Sequence, residues 1–140
     1  MKDSDLAFQL GQLFDSKVVA FYRNTYKGTF GQVQIQVLSD LSEHQPSKLQ
    51  DVAERVSISK QHASKILLRF EELGYVIRQE DRTDRRAKLF QLSPSGEKLI
   101  REHIDESNRH FEEMLETLDP AEQQEMSEAM KVMIALLGKM

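Results

Sequence analysis

Apolar positions in the first part of the chain recur with a helical period. Residues 6, 10, 13, 14, 18, 21 and 22 form one stripe, which predicts a helix from Asp3 to about Tyr26. Gly28 and Gly31 then punctuate the chain. Over 32–42 the apolar residues, at 33, 35, 37, 38 and 41, cover more than one helical face, as in a helix buried between two bodies. His44-Gln45-Pro46-Ser47 breaks that pattern, and Ser47 is expected to cap a helix carrying Leu49, Val52, Ala53 and Val56. A short turn, Ser57-Ile58-Ser59, leads to a helix with Ala63, Ile66, Leu67, Phe70 and Leu73 on one face. Ser59 is its expected N-cap and Gly74 its terminating glycine. The period then falls toward two. Residues 75–79 and 87–92 read as strands joined by the polar loop Glu80–Arg86. Ser93-Pro94-Ser95-Gly96 opens a long helix with its stripe at 100, 104, 107, 111, 114, 115 and 118. Asp119 and Pro120, as cap and first residue, open a last helix with Met126, Met130, Met133, Ile134 and Leu137.

Two helices joined by a tight turn, the second followed directly by a hairpin, make a winged helix-turn-helix. The expected fold class is mainly α (α+β), with N- and C-terminal dimerisation helices around that unit. At 140 residues the chain reads as one domain. Its winged part lies at about 32–92 and its helical part at about 1–31 and 93–140. The stripes at 6–22, 99–118 and 126–137 exceed what a winged-helix core of roughly 45 residues covers, so they need a partner. A second copy of the chain is the expected partner, and an intrachain helical bundle is the alternative.

Composition changes this picture little, but charge changes it more. Apolar residues make up 39% of the chain, enough for a core, and no run approaches a membrane span. Cysteine is absent, which excludes a disulfide scaffold, a thiolate metal site and a thiol redox switch. The first residues show no secretory pattern, so the expected compartment is the cytoplasm. The net charge of −4 argues against nucleic acid only when taken whole. Residues 46–92 hold ten Lys/Arg against seven Asp/Glu, a local +3, while the flanks hold nine against sixteen, or −7. Such asymmetry points to one face for an anionic polymer.

The candidate chemistry falls on two places within that segment. Ser59, Lys60, Gln61, His62, Ser64 and Lys65 crowd the start of the second helix of the pair, opposite its apolar stripe. Gln pairs with adenine, Lys reaches guanine acceptors and Ser reaches either, so these are residues suited to base edges in the major groove. A solvated face would instead carry Glu and Lys in i, i+4 pairs, yet no acid appears there until Glu71. The hairpin tip carries Arg82, Arg85 and Arg86, suited to phosphates or a narrow minor groove. Asp84 is the expected brace of that loop, pairing with one arginine. The acids Glu80, Asp81 and Asp84 weaken a purely electrostatic reading. Glu112-Glu113 reads as a solvated helix face and His103 as a packed histidine. No nucleophile elbow or phosphate loop occurs, so an enzyme is not expected.

The hairpin is where the chain resembles the multiple antibiotic resistance regulator (MarR) family. The pattern there is Asp-x-Arg, a short strand, then Leu-Thr-x-x-Gly. Here it reads Asp84-Arg85-Arg86, 87–91, and Leu92-Ser93-Pro94-Ser95-Gly96. Upstream, Arg69-Phe70-Glu71-Glu72-Leu73-Gly74-Tyr75-Val76 is similar to that family's phrase at the end of the recognition helix. Ser93 stands for the usual Thr and keeps the capping hydroxyl, and Thr83 stands where many members have another turn residue. The resemblance covers about residues 6 to 137. It implies a two-fold dimer that binds double-stranded DNA at a pseudo-palindrome, without a required cofactor. It also implies release by a small aromatic or anionic effector held between the helices. A few members bind zinc, and Glu43, His44 and His110 fall near their ligand positions. However, Met114 stands one turn after His110, and Tyr26 near the end of the first helix, where further ligands would be needed. The rival from another class is a winged-helix protein-interaction module with no specific DNA site.

Overall fold

The computed structural model describes residues 1–20 and 30–140. Helix α1 (Asp3–Phe14) continues into one π-helical turn, Asp15–Val19. The helix end expected near Tyr26 lies outside the described residues. Then follow α2 (Gln32–His44), β1 (Ser47–Lys48), α3 (Leu49–Val56), α4 (Lys60–Glu72), β2 (Val76–Glu80), β3 (Lys88–Leu92), α5 (Pro94–Leu115) and α6 (Pro120–Leu137). The chain divides into two compact units, residues 1–104 and 105–140, with α5 running from the first into the second. Among the described residues, no helix is long and apolar enough to cross a membrane.

The first unit is built on the buried faces read from periodicity. Val37, Leu38 and Leu41 of α2 meet Val52 of α3, Ile66, Leu67 and Phe70 of α4, Val76, Phe90 and Leu92 of the strands, and Ile100 of α5. Val33 and Ile35 also pack on this core, which explains why α2 is apolar on several faces. Leu73 does not join it and is 42% exposed. The helix ends at Glu72, and the turn at Gly74 brings Tyr75 instead against Phe70 and Phe30, with ring centroids 6.4 and 5.9 Å away.

Turn chemistry sets the angle between α3 and α4. Ser57 takes the left-handed conformation (φ 60°, ψ 46°), and the amides of Ser57 and Ile58 donate to the carbonyls of Glu54 and Ala53 at 3.2 and 3.0 Å. Ser59 then caps α4, its Oγ accepting the His62 amide at 3.0 Å. Gly74, at φ 83°, turns the chain into β2.

The strands form a three-stranded antiparallel sheet, ordered β1-β3-β2, with Val76 opposite Leu92 and Glu80 opposite Lys88. Glu80, expected in the loop, is therefore the last strand residue. Ser47 does not cap α3. It pairs with Phe90 in the sheet and its Oγ donates to the His44 carbonyl, so Lys48 takes the cap position without a side-chain bond. Asp119 and Pro120 open α6 as expected, with Asp119 and Glu122 exchanging side-chain and backbone bonds at 2.8 and 3.1 Å.

Candidate nucleic-acid interface

Helix α4 buries Ala63, Ile66, Leu67 and Phe70, and this fixes the opposite face outward. Lys60, Gln61, His62 and Lys65 are exposed there and Ser64 is half-buried. No acid lies in the first turn, so the positive end of the helix dipole adds to the lysines. Further along the same face, Leu68 is 41% exposed, a position that sequence reading passed over. Spacing alone marks it, since it stands seven residues after Gln61.

Pairing of charges separates the ten basic residues of 46–92 into two sets. Lys48 pairs with Asp81 (3.8 Å), Arg55 with Asp40 (2.9 Å), Arg69 with Glu72 (3.6 Å), Arg78 with Glu71 (3.1 Å) and Lys88 with Glu80 (3.1 Å). Lys60, Lys65, Arg82, Arg85 and Arg86 have no ion-pair partner among the described residues. Those five lie on the outward face of α4 and at the hairpin tip. The modest local charge thus becomes two concentrated cationic surfaces, because neighbouring acids neutralise the rest.

The tip is held by its acids, though not in the expected way. Asp84 forms no ion pair with Arg82, Arg85 or Arg86. Its Oδ1 accepts the Arg86 amide at 3.0 Å, and its carbonyl accepts the Ala87 amide at 3.0 Å. An Asp side chain reaches an amide two residues on more cheaply than it orders a long guanidinium. The stronger brace is Asp81, which sequence reading counted only as an opposing charge. It is buried, and its Oδ1 accepts the Thr83 amide and hydroxyl at 3.0 and 2.7 Å. Those bonds, first of all the Thr83 amide, hold its carboxyl below the usual aspartate range, with help from Lys48. The Asp-x-Thr spacing was the available signal.

The elements that carry these two surfaces are tied at several points. Arg55 donates to both oxygens of Asp40 at 2.9 Å and to Ser47 Oγ at 2.7 Å, joining α2, α3 and β1. Asp40 raises the Arg55 pKa above its ordinary value. Gln45 accepts the Leu92 amide at 2.8 Å and donates to Glu97 at 3.3 Å. Ser93 and Ser95 both donate to the Gly74 carbonyl, at 2.5 and 3.0 Å, and Ser93 Oγ accepts the Gly96 amide at 3.0 Å. A Cβ at Gly96 would overlap the Tyr75 carbonyl oxygen, so the chain needs glycine there.

Of the zinc candidates, Glu43 and His44 lie in the first unit and His110 in the second. Glu43 and His44 approach to 3.9 Å, and among the described residues no three His, Cys, Asp or Glu are placed to hold a metal. Tyr26 lies outside the described residues. His103 is buried, as read, and burial lowers its pKa.

Comparison with known proteins agrees with this geometry. Residues 30–96 match the family described as winged helix DNA-binding domain. The uncharacterized HTH-type transcriptional regulator YfiV of Bacillus subtilis is 30% identical over 100 residues, or 71% of this chain. The match spans 62% of that relative's length. RV1404 from Mycobacterium tuberculosis superposes with a TM-score of 0.87 at 18% identity, over 99% of this chain and 96% of that one. Streptococcus pneumoniae FabT, solved in complex with DNA, gives 0.75 at 15% identity, over 99% of both chains. Residues 30–96 therefore match the winged helix DNA-binding domain family, within a chain that shares its fold with RV1404 and FabT.

Proposed function

We propose that this chain is a transcription repressor that acts as a homodimer on a pseudo-palindromic operator and is released by a small aromatic or anionic effector. The observation that carries the reading is the separation of charge. Five cations without acidic partners stand on the outward face of α4 and at the hairpin tip, beside uncharged side chains able to read base edges. The dimer is supported by α1 and α6, neither of which buries a residue although both are rich in large apolar side chains. A dyad would set two copies of α4 about one DNA turn (~34 Å) apart, the spacing of a palindrome's half-sites.

The test is binding to a duplex from the protein's own upstream region and to a scrambled duplex, over a salt series. Specific binding is expected to exceed non-specific by at least about 1000-fold and to weaken steeply with salt. Equal binding to both duplexes would reject the regulator and favour a protein-interaction module. Mass spectrometry of natively purified protein addresses the effector, through a co-purified small molecule whose addition releases the duplex.

A further inference from the structure

Gln61, Ser64, Lys65 and Leu68 follow one another on α4 at i, i+3, i+4 and i+7. A helix lying in the major groove presents its base-reading side chains at this spacing. Three of the four are polar and suited to hydrogen-bonding edges. The fourth is apolar. Leu68 is 41% exposed, while Ile66, Leu67 and Phe70 around it in sequence are buried in the core. It lies two turns beyond Gln61, within about 20° of it around the axis and roughly 10 Å further along. Arg69, the next residue, is engaged with Glu72, while Lys65, three residues before Leu68 on the same face, has no acidic partner among the described residues.

A single exposed leucine on an ordinary surface needs no partner. This one differs by its place, in line with Gln61, Ser64 and Lys65 on the outward face of α4. Among base edges the major groove offers one apolar feature, the C5 methyl of thymine. Cytosine, adenine and guanine present amino or carbonyl groups that leucine would cover without a hydrogen bond, a desolvation cost with no return. We infer that Leu68 is a specificity-determining residue that packs on a thymine methyl, two helical turns beyond the contact made by Gln61, so that each operator half-site carries a thymine there. This inference rests on the DNA-reading function proposed above.

Selection of the full-length protein against random-sequence duplexes supplies a consensus. Each symmetry-related pair of thymines in it is then replaced by deoxyuridine, which keeps every hydrogen-bonding group and removes only the methyl. Burial of one methyl corresponds to roughly fourfold in affinity per half-site, about fifteenfold for both. Wild-type protein is expected to lose about that much at one thymine pair. Leu68→Ala, whose melting curve should match wild type because the side chain is exposed, should bind the thymine duplex more weakly by a similar factor. It should also be indifferent to uracil at that pair while keeping every other uracil effect. If wild type has no uracil-sensitive pair, or Leu68→Ala retains all such effects, the assignment is overturned and specific binding stands. If selection enriches no sequence, the regulator reading and this inference fall together.

Discussion

Gln61 projects its amide from the second residue of α4 and has no hydrogen-bond partner among the described residues. Arg85, at the hairpin tip, is equally unpartnered among the described residues, but a guanidinium there is suited to phosphate or groove width rather than to a base edge. The two substitutions should therefore fail differently. Gln61→Ala is expected to forfeit about 1–3 kcal/mol of discrimination at the base pair it reads. The measurement is the affinity ratio between the consensus and singly substituted duplexes, and an unchanged ratio at every position removes Gln61 from the reading face. Arg85→Ala should lower affinity for every duplex by a common factor. Asp81 acts through pH as well. Its carboxyl is held below the ordinary range, about 3.9, so its contribution is fully present above that value. It is lost only as pH falls through the lower folded value. The Thr83 amide resonance should accordingly stay in place through the usual aspartate titration and move only below it. A shift centred near 3.9 would mean that the Asp81–Thr83 bonds do not bias the carboxylate.

Helix α4 depends at its C-terminal end on the beginning of the long helix. Ser93 Oγ donates to the Gly74 carbonyl just past the end of α4 and accepts the Gly96 amide in the first turn of α5. Ser93→Ala removes both bonds and should cost about 1–2 kcal/mol in urea unfolding. Gly96→Ala forces a methyl onto the Tyr75 carbonyl and should cost about 1–3 kcal/mol, with weaker DNA binding because Tyr75 positions the start of β2. Equal stability of both variants and wild type would show that the clasp carries no load. The leucine-serine-glycine phrase at 92–96 was legible from sequence, and so were its cap and the order of the described elements other than β1 and the π-helical turn. Periodicity located the core faces of α2, α3 and α4 because burial repeats with the helix. It could not show that Ser47 would leave its cap for two residues of strand pairing with β3, a contact across 43 positions. Nor could it show that Leu73 would lose its place to Tyr75, since helix termination decides that locally. Within the site, the outward residues of α4 followed from the inward ones. The division of cations into paired and unpaired did not, because it depends on which acid each side chain meets in space: Arg55 finds Asp40, fifteen residues away on another helix.

The described residues hold two sets of apolar side chains, on α1 and on α6, that are exposed in the single copy. In α1, Leu6, Phe8, Leu10, Leu13 and Phe14 are all exposed, Phe8 to 69%. In α6, Val132, Ile134, Leu136 and Leu137 are exposed, Ile134 to 72%. Burying such surface against a second copy would supply the dimer, so Leu13→Glu or Ile134→Glu is expected to give a monomer in sedimentation and to lose specific DNA binding. A variant that stays dimeric would place the interface elsewhere. The dimer also decides how strongly salt should act. Within 46–92 a protomer presents five cations without acidic partners among the described residues, so a two-fold pair presents twice that number on these surfaces. If Lys60 and Lys65 read bases and only the wing arginines neutralise phosphates, the slope of log affinity against log salt is about −5. If all of them do, it approaches about −9. Arg85→Ala removes one cation from each protomer and should flatten the slope by about 2. Arg78, which Glu71 already neutralises at 3.1 Å, carries the same formal charge on a neighbouring strand. Arg78→Ala should leave the slope nearly unchanged. If the two variants flattened it equally, affinity would follow net charge rather than the placement of unpaired cations, and the two reading surfaces would lose their physical basis.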